Sequence, residues 1–282
     1  MPKKTKKKPS AKKTTAQPLS TALTELADLP PRAGLPARDS IISISAPVAA
    51  TMAGGIVSAP KYRIIHTNEM DEYEQAAASP MAFASAMAAM PKGDSFKGKQ
   101  RKAAKLSIAK KKMETFKDLK TLIKSLAPES DMINHDPPIK RDAKSDRVTE
   151  EKRNVRVSAF IYAASRESDN DYHLILGRNP NASPEMYMTM ELSGLPPASA
   201  KSHKKLKAAR DAYKKFYDDN LGGDLPGLRY DFPDPPIPVT IEGSLFFDVT
   251  HATGSRPGPK SLKSRMPVVW EVHPITKMEF KS

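Results

Sequence analysis

Cysteine is absent from this 282-residue sequence, which excludes disulfide bonds, cysteine-ligated zinc and thiol catalysis. No run of about 18 apolar residues is present, so the sequence does not predict a transmembrane helix. The basic start, PKKTKKKPSAKK, is not followed by an apolar stretch, and a secretory signal is therefore not expected. We expect an intracellular protein, cytoplasmic or, in a eukaryote, nuclear, because the lysine run resembles a nuclear import signal.

Aromatic residues make up only 6% of the sequence, whereas proline is frequent, with 26 residues. Because large apolar residues drive burial, we expect a substantial part of the chain not to build a core. The common catalytic signatures HExxH, Walker A, GxSxG and GxGxxG are also missing. The composition therefore leaves open whether the protein is an enzyme.

Positive charge is concentrated in the first half of the chain. Residues 153–282 hold 18 Lys and Arg against 15 Asp and Glu, whereas the first 152 residues hold 28 against 17. We predict a disordered basic tail over 1–60, a loosely ordered region over 61–152 with a short strand or turn in 61–75, and a compact domain over 153–282. The basic arm would attract polyanions such as nucleic acid, or would only keep the chain in solution.

An amphipathic helix is predicted near residues 99–126, because apolar residues recur there at intervals of three and four. The stripe consists of Leu106, Ala109, Met113, Phe116, Leu119, Ile123 and Leu126. Lysines occupy the other faces, so the helix would suit docking on a protein partner, on nucleic acid or on a membrane surface. The alternative, which we favour, is that the stripe packs on the C-terminal domain while the lysines face water.

The C-terminal domain shows the period-two alternation that is typical of strands. Strands are predicted at 155–163, 171–178, 186–192, 239–251 and 268–280, with a helix at 200–220. This order, with the helix between the third and fourth strands, is that of an OB-type Greek-key barrel. The sequence therefore predicts a β-rich, OB-like five-stranded barrel with one helix. An α+β domain with an open five-stranded sheet is the alternative.

Carboxylate and imidazole side chains recur within the predicted strands, where a polar group costs free energy unless it is paired. The candidate ligand or metal residues are Asp171, His173, Glu191, Asp248, His251, Glu271 and His273. Such residues bind zinc, iron or manganese, or act as general acids and bases without a metal. Alternatively, they only hydrogen-bond loop backbone at the rim of the barrel. A divalent metal is the cofactor that the pattern suggests.

A nucleic-acid surface is a separate hypothesis, because OB-type barrels bind single strands through stacking aromatics and basic loops. The candidates are Phe160, Tyr162, Tyr187, Arg256, Lys260, Lys263 and Arg265. The four basic residues lie in the loop before the last predicted strand. However, the domain is nearly balanced in charge, and its aromatic residues would equally suit a core.

The segments DYHL, GSLFFDVTH and EVHPI occur in this order between residues 171 and 275. They resemble the D-x-H-L, G-x-x-F-F-D-x-x-H and E-L-H-P-V strands of an uncharacterised bacterial family. The matching positions are Asp171, His173, Phe247, Asp248, His251, Glu271, His273 and Pro274. The loop before the last strand is longer and more basic here, and a cysteine that is usual in the family is missing. The resemblance implies the domain and its polar residues but no reaction.

The leading hypothesis from the sequence is a non-enzymatic binding protein with nucleic acid as its ligand, in which the basic arm adds affinity. The alternative is a metal-dependent hydrolase that uses the Asp, His and Glu residues of the strands. A third hypothesis is a scaffold that holds a protein partner through the helix near 99–126.

Overall fold

The computed structural model describes residues 34–47, 61–71 and 93–281. The strands are β1 (Ile41–Ile44), β2 (Arg63–Thr67), β3 (Met113–Phe116), β4 (Asn154–Arg166), β5 (Tyr172–Gly177), β6 (Tyr187–Leu192), β7 (Asp231–Asp234), β8 (Ile237–Phe247) and β9 (Trp270–Phe280). The helices are α1 (Lys102–Leu106), α2 (Leu119–Lys124), α3 (Glu129–Ile133), α4 (His203–Asn220), α5 (Val249–Ala252) and α6 (Lys260–Lys263). None of these helices has the length and apolarity needed to cross a lipid bilayer.

Five of the strands close into a barrel. β4 pairs with β5, β5 with β6, β9 with β8 and β8 with β4, all antiparallel, whereas β6 and β9 run parallel. The helix α4 connects the third barrel strand, β6, to the fourth strand, β8, by way of β7. The predicted β-rich fold, a five-stranded barrel with one helix between its third and fourth strands, is therefore confirmed. The alternative of an open sheet is wrong.

Side-chain alternation explains the interior of the barrel. Tyr172, Leu174 and Leu176 of β5 join Met188 and Met190 of β6 in the main apolar core. The residues between them point to the outer face of the sheet. That face is also inaccessible, because every residue of β5 and β6 is buried. Other parts of the chain must therefore cover the outside of the barrel.

One part of this cover is a small sheet extension. β1 pairs with β2, β2 pairs with β7, and β7 reaches the end of β4. Ile44 and Ile65 of this extension pack with Ile175 and Tyr187 on the outer face of the barrel. Of the short strand or turn predicted for 61–75, the strand forms, as β2. The prediction of a disordered tail over 1–60 is wrong where β1 forms. Most of that tail lies outside the described residues.

The second part of the cover is formed by residues 99–126. They do not form the single helix predicted there, so that prediction is wrong. The chain forms α1, then an extended segment that includes β3, then α2. β3 runs parallel to β4, and Asn154 Nδ2 donates to the carbonyls of Ala109 and Lys111 at 2.7 and 2.8 Å. These tertiary hydrogen bonds substitute for the backbone bonds of a helix. Leu119 nevertheless packs in the barrel core.

A buried ion pair fastens this cover to the barrel. Arg101 donates from both terminal nitrogens to the two carboxylate oxygens of Glu151, at 2.7 and 2.8 Å. Only 2% of the Arg101 side chain and none of the Glu151 side chain is exposed. Glu151 also accepts from the backbone N–H groups of Val148 and Phe247, each at 2.8 Å. The segment that precedes α1 is thereby tied to the end of β8.

We expect Glu151→Gln to lower the free energy of unfolding by about 3–5 kcal/mol, because it leaves the buried Arg101 charge without its carboxylate. Urea denaturation followed by circular dichroism at pH 7 measures this loss. Glu114→Gln is the matched control, since Glu114 contacts Arg153 with 43% of its side chain exposed. Its cost should stay below about 1 kcal/mol. Equal losses in the two variants would show that burial gives the Arg101–Glu151 pair no special importance.

Candidate metal centre

Five ionisable side chains lie together on the outer face of β5, β6 and β9. This polar cluster consists of Asp171, His173, Glu191, Glu271 and His273, each at most 3% exposed. The strand register brings them together, because His173 lies opposite Glu191 in the β5–β6 pair. Met190 lies beside Val272 where β6 and β9 run parallel, so the next residues, Glu191 and His273, face each other.

His273 lies at the centre of the polar cluster. Its Nε2 lies 3.3 Å from Asp171 Oδ2, and its Nδ1 lies 2.8 Å from Glu191 Oε2 and 3.5 Å from Glu271 Oε2. These contacts are short but lack the angles of hydrogen bonds. Among the described residues, the two ring nitrogens and the three carboxylate oxygens therefore have no aligned partner. Buried polar atoms are rarely left this way, so the arrangement requires a physical explanation.

Burial and mutual repulsion separate the proton affinities of the cluster. Burial and the neighbouring Asp169 carboxylate raise the pKa of Asp171 to about 6. Burial and the charge of Glu191 raise the pKa of Glu271 to about 8. Burial opposes ionisation of Glu191 and His273 too, but their mutual attraction outweighs it. The pKa of Glu191 is therefore held well below its usual range, and the pKa of His273 is raised well above its own.

His173 lies on the other side of Glu191. Its Nδ1 is 2.5 Å from Glu167 Oε1, and its Nε2 is 3.2 Å from Thr189 Oγ1. Glu167 belongs to the turn between β4 and β5, and 15% of its side chain is exposed. The imidazole ring is thus fixed between a carboxylate near the surface and a hydroxyl group on β6.

Lys105 brings a cation to the cluster from α1. Its Nζ lies 3.4 Å from Asp169 Oδ2 and 3.8 Å from both Asp171 Oδ2 and Glu191 Oε2. Burial disfavours the ammonium, but these carboxylates outweigh it and raise the pKa of Lys105 well above its ordinary value. Ser193 Oγ donates to the carbonyl of Lys105 at 3.1 Å and so holds its backbone on the barrel.

A cleft leads from the surface to this group of charges. It has a volume of about 210 Å³, and its walls include Lys99, Lys105, Glu167, Glu191, Asp248 and His251. Asp248 Oδ1 accepts from the N–H of Thr250 at 2.7 Å and so caps α5. His251 Nδ1 lies 2.6 Å from the carbonyl of Ser255, a contact that requires a proton on Nδ1. A small molecule entering the cleft would meet both acidic and basic groups.

The structure brings together most of the residues that the sequence predicts for a ligand or metal site. Asp248 and His251 are the exceptions, and they line the cleft without joining the cluster. The reason is that β8 ends at Phe247 and the chain turns into α5, whereas the predicted strand continues to residue 251. The sequence does not predict the three charged neighbours Lys105, Glu167 and Asp169. An acidic turn between two strands is the signal that could have indicated the last two.

The aromatic residues predicted to stack on nucleic acid do not form an exposed surface. Tyr162 and Tyr187 are only 2% and 1% exposed, and their ring centroids lie 4.9 Å apart in an edge-to-face contact. Neither ring offers a free face, so the prediction is wrong for these two residues. Phe160 is half-buried and packs at the edge of the same apolar group.

Two of the four basic residues predicted for the same surface form ion pairs with carboxylates. Arg256 donates two hydrogen bonds to Glu129, at 3.0 and 2.9 Å. Arg265 forms an ion pair with Glu185. The two lysines of α6 are exposed or half-buried (Lys260, Lys263). The loop before β9 is therefore closer to neutral than its sequence indicates.

We expect the stability of the metal-free protein to fall as the pH rises from about 5 to about 8. Asp171 and Glu271 keep protons in the folded state over a range in which the unfolded chain has lost them. Their stabilising contribution is present below the ordinary carboxyl pKa and is lost as the pH passes about 6 and about 8. Urea denaturation in the presence of EDTA should show a loss of about 1 kcal/mol or more.

Glu271→Gln is the control for this pH dependence, because an amide does not titrate. The variant should show a smaller slope toward pH 8 and keep the parts due to Asp171 and His273. A free energy of unfolding that rises over this range would contradict the prediction. An unchanged slope in Glu271→Gln would assign the effect to other groups.

Comparisons with protein-family models, with curated proteins and with solved structures give no match for this chain. The resemblance of its motifs to an uncharacterised bacterial family therefore remains a prediction. A barrel by itself does not specify a function, because one fold can host many unrelated sites. The inference of function must therefore start from the polar cluster and its cleft.

Proposed function

We propose that the protein is a divalent-metal-dependent hydrolase whose metal ion is bound by Asp171, Glu191 and His273. One observation carries this proposal. Each of the three buried side chains offers a ligand atom, and these atoms all lie within 4.8 Å of one another. Atoms of all three lack an aligned hydrogen-bond partner among the described residues. A metal ion would supply the partner that these atoms lack.

The charge of the site favours a cation. The cluster and its neighbours contain one lysine, two histidines and five carboxyl groups, namely Asp171, Glu191, Glu271, Glu167 and Asp169. Burying carboxylates without compensation costs several kcal/mol for each ion. Protons provide the compensation when no metal is bound, which explains the raised pKa values of Asp171 and Glu271. A divalent ion would release those protons and take over their role.

The proposed ligands also suit hydrolysis. Two carboxylate oxygens and one imidazole nitrogen are typical ligands of zinc, manganese and iron. Three protein ligands leave positions for water and substrate, and a bound metal lowers the pKa of that water toward neutrality. Among the proposed ligands, Glu191 lines the cleft, so a substrate in the cleft would reach the edge of the cluster. Lys105, in its wall, would stabilise negative charge that develops on the substrate.

The hydrolase hypothesis explains the structure better than the hypothesis of a nucleic-acid-binding protein does. We infer that the barrel is of the OB type, because its strand order and helix position match that fold. Nucleic acid binds OB-type barrels on the second and third strands, which here are β5 and β6, and both are buried. Binding through the basic N-terminal half remains a prediction from charge. The scaffold hypothesis is weakened, since the continuous helix that it requires does not form.

The full chain, dialysed against zinc or manganese, is expected to retain metal. Glu191→Gln should weaken its affinity by about 100-fold or more, because a direct ligand is lost. Isothermal titration calorimetry measures the affinity, and elemental analysis counts the ions. Glu185→Gln is the matched control, since Glu185 pairs with Arg265 just before β6 and lies outside the polar cluster. Equal affinities in the two variants, or no bound metal in the wild type, would falsify the proposed ligand set.

The metal-loaded protein is expected to hydrolyse at least one class in a panel of chromogenic phosphate esters, carboxylate esters and peptides. Lys105→Met should lower kcat for that substrate by about 100-fold, because the cation that faces the developing charge is removed. Lys204→Met, at an exposed lysine of α4, is the control and should leave kcat unchanged. A metal-loaded protein that hydrolyses none of these substrates would refute the reaction while leaving the metal site standing.

A further inference from the structure

We infer that the metal centre holds two cations, with Glu191 bridging them and with Glu167 and His173 as the ligands of the second ion. This inference rests on the proposed function, because the first ion is the one bound by Asp171, Glu191 and His273. It goes beyond that function by assigning a second site and a shared ligand. The two sites would form one binuclear centre at the base of the cleft.

The ligand geometry carries the inference. Glu167, His173 and Glu191 form a second group whose ligand atoms all lie within 4.8 Å of one another, and Glu191 belongs to both groups. β6 runs between β5 and β9, so the Glu191 carboxylate has His173 on one side and His273 on the other. A carboxylate has two oxygens, and one carboxylate can therefore bind two ions at once.

The surroundings of the second group favour a cation at that point. Glu191, which both groups share, is 3% exposed, and its Oε2, 2.8 Å from His273 Nδ1, lacks an aligned hydrogen-bond partner among the described residues. The Lys105 ammonium lies 3.8 Å from that oxygen and 3.4 Å from Asp169 Oδ2, which shows that positive charge is stabilised there. Five carboxyl groups and two histidines lie around this single lysine. A second divalent ion would reduce this excess of negative charge.

His173 is oriented for such a role. Thr189 Oγ1 lies 3.2 Å from His173 Nε2 and so holds the ring on the side away from Glu167. A hydrogen bond of this kind commonly fixes the ring of a metal-binding histidine. The opposite nitrogen, Nδ1, lies 2.5 Å from Glu167 Oε1. A bound ion would replace this direct contact by two ligand bonds, one from each residue.

A bridged pair of cations has a chemical consequence. In binuclear hydrolases the ions lie about 3.5–4 Å apart and stabilise both the attacking and the leaving oxygen of the substrate. Phosphate esters have the geometry for this arrangement, since their displacement proceeds in line. The second cation therefore points to phosphate esters as the substrate class of the proposed hydrolase.

The test is a count of manganese ions in the full chain. Metal-free protein is loaded with Mn²⁺ and separated by gel filtration, and elemental analysis then gives the ions per chain. Electron paramagnetic resonance reports whether the ions are spin-coupled. The wild type should hold two coupled ions. His173→Gln should hold one ion with the uncoupled signal of isolated Mn²⁺, and Glu191→Gln should lose both or bind them far more weakly.

His203→Gln is the matched control, because His203 Nδ1 contacts the carbonyl of Pro196 outside the polar cluster. This variant should retain two coupled ions. Glu167→Gln is a second test of the same site if circular dichroism shows that His173→Gln does not fold. Its expected result is again one uncoupled ion.

The outcomes separate the two proposals. One ion in the wild type, unaffected by His173→Gln and Glu167→Gln, would overturn the second site and leave the mononuclear hydrolase intact. No ion in the wild type would overturn both. Two ions that remain coupled in His173→Gln and Glu167→Gln would show that the second ion has other ligands, which also overturns this assignment.

Discussion

Charged side chains on the outer face of β5, β6 and β9 impose the main constraint on this structure. The inner faces of these strands form the apolar core, so the charged residues can only point outward. In most small barrels such a face would meet water. Here His273 and Asp171 are completely buried, and a separate part of the chain must therefore cover them and compensate their charges. That requirement explains why the residues before β4 pack against the barrel, although their composition is typical of a loose arm.

A buried cation, Arg147, holds the cover on the barrel by donating hydrogen bonds to backbone carbonyls. Arg147 donates to the carbonyl of Leu245 in β8, and at 2.6 Å each to those of Ala104 in α1 and His273 in β9. Its guanidinium therefore links the end of α1 to the backbone of a proposed metal ligand. Burial lowers the pKa of Arg147 to about 10, which still leaves it charged at neutral pH. Since Lys105 follows directly after Ala104, this anchor also determines where the lysine enters the cluster.

The sequence predicts the parts of this arrangement that depend on local patterns. Alternation locates the barrel strands, and unusual polar residues within them identify Asp171, His173, Glu191, Glu271 and His273 as candidates. Sequence patterns do not predict local structure that depends on contacts with a distant segment of the chain. The stripe from 99 to 126 has helical spacing, but hydrogen bonds to Asn154 hold part of it extended. Lys105 joins the site for the same reason, since only tertiary packing brings α1 against β9. Tyr187 looks available for stacking because alternation cannot show that both faces of a strand are covered.

Compensation of buried charge also connects stability with function. The cluster can be neutralised by protons, by Lys105 or by bound cations, and these alternatives compete for the same carboxylate oxygens. Protons suffice at low pH, because Asp171 and Glu271 bind them more tightly in the fold than in the open chain. Near neutral pH this compensation weakens, and a cation that binds only the folded state would then stabilise the fold by mass action. A site selected only for stability would contain apolar residues of similar volume, which are often at least as stable. The charged residues instead make the fold depend on what binds there, as expected of a site that holds metal ions for a reaction.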